Sequence, residues 1–249
     1  MSAGHPRLPS PPLPQPDWAY FIDIDGTLVE LAESPGAVRV RPESRQLVAE
    51  LYASTGGAVA LISGRSIADI DGLFPGIRPP AAGQHGIERR DASGAGSTHP
   101  FPVERLELAR KRIRTAIAGK PGLLLEDKGL SLALHYRRAP RLAGYAHRVA
   151  RSLLPRLGAQ YGLQAGKYVV ELKPRGKDKG VAVREFMAET PFRGRTPVFI
   201  GDDATDEFGF AVVNRLYGYS IKVGRGPTAA HWHLANVEAV QRWLRSTWP

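Results

Sequence analysis

Asp23 and Asp25 stand two residues apart in the run Asp23-Ile24-Asp25-Gly26-Thr27-Leu28, where an apolar stretch gives way to acids. Two carboxylates this close repel each other, and burying them is costly unless a cation sits with them. The chemistry open to the pair is nucleophilic attack and metal binding by Asp23, with proton transfer by Asp25 beside it. Helix capping would account for one aspartate but not both. Asp202, Asp203, Asp206 and Glu207 form a second acidic concentration after Gly201. Alone, these acids read equally well as the complement of a helix dipole. Facing Asp23 across a crevice, they would complete an oxygen-rich site for Mg2+, a hard cation.

Cationic and hydroxyl groups complement these acids. Ser63, Gly64 and Arg65 offer a hydroxyl, a flexible backbone and a guanidinium, which can bind a phosphoryl oxygen, although Gly-Arg is also a common turn. Lys173, Arg175, Lys177 and Lys179 are interrupted by Pro174, Gly176 and Gly180. A solvated linker explains some of these cations. Lys179, at the start of a helix, is best placed to neutralise phosphate and hold the carboxylates.

The elements that position these groups alternate between strand and helix. Nearly continuous apolar runs at 18–22, 58–62 and 198–200 end in Asp23, Ser63 and Gly201-Asp202 respectively, the pattern of parallel strands buried on both faces. Helices are expected from Pro42, over 66–73, over 179–189, near 206–213 and around Val237, Val240 and Leu244. The fold class is therefore α/β, a doubly wound and mainly parallel sheet whose crevice lies at the carboxyl ends of the strands. Between 101 and 172 the order becomes helix, strand, strand, helix, strand, strand, which predicts an inserted α+β cap with one sheet face left open. Lys167, Glu171 and Lys173 alternate by two and so share a strand face. The expected organisation is a proline-rich, disordered or extended tail over 1–16, a core in two parts, 17–100 and 173–249, and the cap over 101–172.

Composition narrows the function classes. The 249 residues carry no cysteine, which removes disulfides, thiolate metal sites and cysteine nucleophiles. No apolar run approaches the roughly 20 residues that span a bilayer, and no signal-peptide segment is visible, so a cytoplasmic protein without membrane attachment is expected. The net charge of +10 invites a polyanionic partner. Lys and Arg are spread along the chain without interleaved aromatics, so nucleic acid is not expected as a partner.

The motifs at 23–28, Ser63, Lys179 and Gly201-Asp202-Asp203, in that order, resemble those of haloacid dehalogenase phosphatases, with a Rossmann-like core and a second-type cap. Further strings are Gly83-Gln84-His85-Gly86-Ile87-Glu88, Glu126-Asp127-Lys128-Gly129, His135-Tyr136-Arg137 and the stretch from Val170 to Gly176. Together these resemble the trehalose-6-phosphate phosphatase family over nearly everything from Trp18 onward.

The resemblance implies a Mg2+-dependent hydrolase in which Asp23 forms an aspartyl-phosphate and Asp25 is general acid and base. Asp23, the Asp25 main-chain carbonyl and Asp202 would hold the metal, supported by Asp203 and Asp206. Ser63 and Lys179 would bind the phosphoryl group, and Gly26, Thr27 and Arg65 would contact substrate. Glu126, Lys128 and Glu171 would recognise the sugar, with Arg137 and His135 as softer candidates, and His85 reads equally as a structural histidine at a strand end. A phosphatase for another ester, such as sucrose-6-phosphate, and a catalytically silent module of the same fold are the alternatives. With no room in the chain for a synthase domain, the phosphodisaccharide is expected from a separate synthase.

Overall fold

The computed structural model describes residues 8–32, 35–100 and 104–246. The chain divides into a larger unit, 1–97 with 178–249, and a smaller one, 98–177. The sequence pattern placed these divisions at 100/101 and 172/173.

In the larger unit the strands are β1 (Trp18–Ile22), β2 (Val59–Ile62), β3 (Ala81–Gly83), β4 (Glu88–Arg90), β5 (Gly96–Thr98), β10 (Thr196–Gly201), β11 (Tyr219–Val223) and β12 (Trp232–Leu234). They form one sheet in the order β12-β11-β10-β1-β2-β3-β4-β5. From β12 through β3 every pairing is parallel, and β3 with β4 is antiparallel. After β1 the chain builds outward to β2 and β3, and it later returns on the other side of β1 as β10, β11 and β12. The strand order thus reverses beside β1, and in such sheets the crevice at the carboxyl ends takes the ligand.

Burial on both faces explains why β1, β2 and β10 read as unbroken apolar runs. Tyr20, Ile22, Val59, Leu61, Val198 and Ile200 pack with helices α1 (Pro42–Ser54) and α7 (Val237–Arg245). Ala19, Phe21, Ala60, Ile62 and Phe199 pack on the other face with α5 (Lys179–Met187) and α6 (Glu207–Arg215). A short helix α2 (Ile67–Leu73) follows β2, its N-terminus capped by the Ser66 hydroxyl, which accepts from the Asp69 N–H at 3.1 Å.

The smaller unit pairs β6 (Leu124–Asp127), β7 (Leu132–His135), β9 (Val169–Pro174) and β8 (Tyr161–Gly166) in that spatial order, all antiparallel. Helices α3 (Glu104–Ile117) and α4 (Ala143–Leu157) cover one face through Leu106, Ile113, Ala146, Leu153, Leu134 and Val170. Register puts Glu126, Ala133, Glu171 and Gln164 in one row across the four strands. Since Leu132, Leu134, Val170 and Leu172 belong to the helix-covered core, this row lies on the opposite face. Lys167 falls in the turn before β9, where Tyr168 has a φ of 64°, so it is outside the strand alternation expected of it.

Two expectations change. Of the proline-rich segment, residues 1–7 lie outside the described residues, and 8–16 take no helix or strand but are docked. The Pro9, Pro12 and Gln15 carbonyls accept from the His233 N–H at 3.0 Å, Trp243 Nε1 at 2.9 Å and the Tyr20 hydroxyl at 2.7 Å. Proline leaves its carbonyl as an acceptor, so a chain poor in donors can still be pinned. The positive charge, expected to be spread along the chain, is concentrated in one contiguous stretch. The stretch 98–177 carries 17 Lys and Arg against 5 Asp and Glu, and the remainder carries 17 against 19. Among the described residues no helix is long and apolar enough to cross a membrane.

Deleting residues 1–16 removes these three hydrogen bonds, each worth about 1 kcal/mol, and uncovers Trp243. A fall in melting temperature of several degrees is expected by calorimetry, and an unchanged midpoint would show that the docking contributes nothing.

Candidate active site

The acids meet because the strand ends are tied and two glycines let carboxylates in. The Asp23 N–H donates to the Ile200 carbonyl at 3.0 Å, locking the end of β1 to β10. Gly26 has a φ of +86°, and a Cβ there would overlap the Asp202 carboxylate. A Cβ on Gly201 would likewise overlap the Asp206 side chain.

Asp23, Asp202 and Asp206 each offer an oxygen within 4.8 Å of the others. Lys179, the first residue of α5 and 3% exposed, donates to Asp23 Oδ1 and to Asp206 Oδ1, each at 2.6 Å. Asp206 Oδ2 accepts from the Asp203 N–H at 2.9 Å, so both Asp206 oxygens are engaged by protein donors, whereas Lys179 engages Asp23 at Oδ1. Asp203, expected among the metal groups, turns its carboxylate to the Ala204 N–H at 2.7 Å, and Asp206 completes the cluster.

Burial pushes the Asp23 carboxyl well above the usual aspartate range, opposed by Lys179 and reinforced by Asp206 and Asp202. Burial, with Asp206 and Asp203, raises Asp202 to about 6. Lys179 loses stability as a cation through burial, but Asp206 and Asp23 more than compensate and hold it protonated. Carboxylates that resist ionisation on their own, at a site made of hard oxygens, suit a divalent cation.

Asp25 lies in a bidentate pair with Arg65, Nε to Oδ2 at 2.6 Å and Nη2 to Oδ1 at 2.7 Å. Arg65 was expected to touch substrate; here it holds the second aspartate. Ser63 is 1% exposed, and its Oγ accepts from the Arg65 N–H at 3.1 Å. Thr27 is fully buried, and its hydroxyl has no hydrogen-bond partner among the described residues.

The string from Gly83 to Glu88 buttresses this loop. The His85 N–H donates to the Ser63 carbonyl at 2.9 Å and the Gln84 N–H to the Arg65 carbonyl at 2.7 Å. Gln84 and His85 adopt consecutive left-handed conformations, φ 47° and 59°, at a cost of about 1 kcal/mol or more each. The His85 ring packs so closely that a Cβ on Gly64 would lie 2.8 Å from its Cε1. Glu88 accepts from the Ile67 N–H at 2.8 Å and from the Gln84 amide. Lys222 went unnoticed in sequence: it is 6% exposed and donates to the main-chain carbonyls of Asp202 and, at 3.1 Å, Val223. A lysine inside a buried strand was the available signal.

In the smaller unit the open sheet face carries a hydrogen-bonded network. Glu126 meets His135 Nε2 at 2.7 Å, and Glu171 accepts from Ser131 at 2.6 Å and Lys128 at 3.4 Å. Lys173 donates to Gln164 at 3.1 Å and to the Lys177 carbonyl at 2.8 Å. Burial raises the Glu126 carboxyl, but the His135 hydrogen bond and Lys128 outweigh it and leave the group below the usual glutamate range. Arg137 lies over the Tyr168 ring, 5.5 Å from its centroid.

Comparison with known proteins shows the family of the chain. A model of the trehalose-phosphatase family matches residues 21–238. A trehalose-6-phosphate phosphatase of Escherichia coli is 47% identical over 227 residues, 91% of this chain and 85% of that one. The C-terminal domain of a Candida albicans trehalose-6-phosphate phosphatase superposes with a TM-score of 0.81 at 22% identity, covering 90% of both chains. A Bacteroides thetaiotaomicron protein from the phosphatases of the haloalkanoate (HAD) superfamily gives 0.61 at 13% identity, covering 98% of this chain and 95% of that one.

The raised Asp202 carboxyl has a pH signature. Between its ordinary value of 3.8 and about 6 the folded protein binds a proton that the unfolded chain does not, so this group's contribution to stability falls as pH rises through that window. In metal-free protein, Asp202→Asn is expected to raise the melting temperature at pH 7 and leave it unchanged near pH 3.5. Equal effects at both values would show that the carboxylate is not electrostatically crowded.

Proposed function

This chain belongs to the trehalose-phosphatase family, and on that premise we propose that it hydrolyses trehalose-6-phosphate to trehalose and phosphate through an aspartyl-phosphate on Asp23. The observation that carries the reading is the placement of Asp23 at the end of a central strand, held by Lys179 at 2.6 Å beside Asp202 and Asp206. A carboxylate attacking a phosphorus bearing negative charge needs cations around it more than it needs basicity.

In the first step an Asp23 oxygen bonds to phosphorus, the bond from phosphorus to the sugar oxygen breaks, and Asp25 gives that oxygen its proton. In the second, Asp25 takes a proton from water, the water oxygen bonds to phosphorus, and the bond to Asp23 breaks. Arg65 holds Asp25 in a bidentate pair. Turning the guanidinium to the substrate's phosphoryl oxygens frees Asp25 to carry a proton. Ser63, the Gly26-Thr27 turn and Lys179 position the phosphoryl group. Mg2+ held by Asp23, Asp202 and the Asp25 carbonyl, with Asp203 and Asp206 in support, would supply further positive charge to the phosphoryl oxygens.

The disaccharide is read by Glu126, Lys128, Arg137 and Glu171 of the smaller unit, where carboxylates and cations are already arranged as acceptors and donors for hydroxyls. The excess of Lys and Arg in that unit suits an anionic ester. The ester itself would come from a synthase on another chain, in the cytoplasm.

Asp23→Asn should lose at least a thousandfold in kcat while keeping its melting curve; appreciable turnover would sink the nucleophile assignment. Glu126→Ala and Glu171→Ala should each raise KM for trehalose-6-phosphate about tenfold or more, the loss of a charged hydrogen bond, without slowing hydrolysis of p-nitrophenyl phosphate. Parallel losses on both substrates would contradict a role in reading the sugar.

A further inference from the structure

Lys222 is out of place by composition. β11 lies between β10 and β12, and its Ile221 and Val223 join the apolar core. Ser220 and Lys222 therefore face the opposite side, and Lys222 stands in register with Gly201, one residue before Asp202. Its ammonium is buried with two main-chain carbonyls as hydrogen-bond partners, those of Asp202 and Val223, and it makes no ion pair among the described residues. Holding an ammonium in the interior by carbonyl dipoles alone is unfavourable. Negative charge nearby is the compensation, and the acid whose carbonyl it grips is one of three clustered carboxylates.

The two buried lysines divide these acids between them. Lys179 bonds to Asp23 and Asp206, and Lys222 reaches Asp202 through its main chain. Asp202 is thereby fixed at two points, its carbonyl by Lys222 and its carboxylate over the bare Cα of Gly26. A loop carrying a ligand but anchored on one side only would let that ligand wander, and partners that orient metal ligands typically carry about 10- to 100-fold in metal affinity.

We infer that Lys222 is a positioning residue for Asp202, holding the end of β10 so that this carboxylate is preset for a divalent cation. The inference rests on the metal reading above, and its test separates the two. Metal-free protein is titrated with Mg2+ by calorimetry, in the parent and in Lys222→Met, which fills the same space without a donor or charge. Mg2+ binding should weaken about tenfold or more in Lys222→Met. At saturating Mg2+ the KM for trehalose-6-phosphate should stay at the parent value, because the phosphoryl and sugar contacts are untouched. Lys222→Arg, which keeps charge and donors, should recover most of the affinity. A Lys222→Met protein that binds Mg2+ as tightly as the parent overturns the inference and leaves the metal reading standing. A parent that binds no Mg2+ overturns both. Should Lys222→Met fail to fold, the same titration on Lys222→Leu, which likewise lacks a donor and a charge, decides by the same criterion.

Discussion

A lysine ammonium buried between two buried carboxylates is the contact on which the rest of the larger unit depends. Lys179 can be there only if α5 begins at the carboxyl ends of β1 and β10, and Asp23 and Asp206 can be there only if Lys179 is. Removing Lys179 would leave the buried carboxylates without their cation, at a cost of about 3–5 kcal/mol, whereas neutralising Asp23 alone leaves Lys179 paired with Asp206. The parallel sheet answers this constraint by ending its central strands together. Gly26 and Gly201 answer it by omitting the Cβ atoms that would otherwise occupy the space of the acids. Burial, reinforced by the neighbouring aspartates, raises the Asp23 and Asp202 carboxyls. Buried carboxylates that resist ionisation on their own suit a divalent cation.

Each unit presents its own set of polar groups. The larger unit gathers carboxylates, a guanidinium and a strained loop whose two left-handed residues hold Ser63 and Arg65 by their carbonyls. That strain is paid for by Glu88, which ties the loop to the start of α2. The smaller unit offers a flat face of alternating acceptors and donors. Each of Glu126, Glu171 and Lys173 already has a partner there. Sugar hydroxyls can exchange into such a network without leaving any member unsatisfied, which a face of unpaired charges could not achieve at comparable stability.

Much of this was legible in residue order. Apolar runs buried on both faces and ending in acid or hydroxyl located Asp23, Ser63 and Asp202 at strand ends, because only a parallel interior strand combines those properties. The helices followed from their periodicity. β3, β4, β5 and β12 were not legible: each has three residues, too few for a period, and takes its conformation from its neighbour in the sheet. The sorting of Asp203 from Asp206 was not legible either, since four acids fall within six residues and only the turn that sends the Asp203 N–H to Asp206 separates them. Lys222 was not among the candidate residues, and only the sheet order shows that its strand β11 is interior.

The measurement that bears most directly on the central claim is phosphate release from trehalose-6-phosphate, sucrose-6-phosphate and glucose-6-phosphate, each with Mg2+ and with EDTA. Strong preference for the trehalose ester, abolished by EDTA and restored by Mg2+, is the result this account predicts. Undiminished release in EDTA would contradict an acidic cluster that works only with a divalent cation, and equal release from all three esters would contradict recognition of the disaccharide.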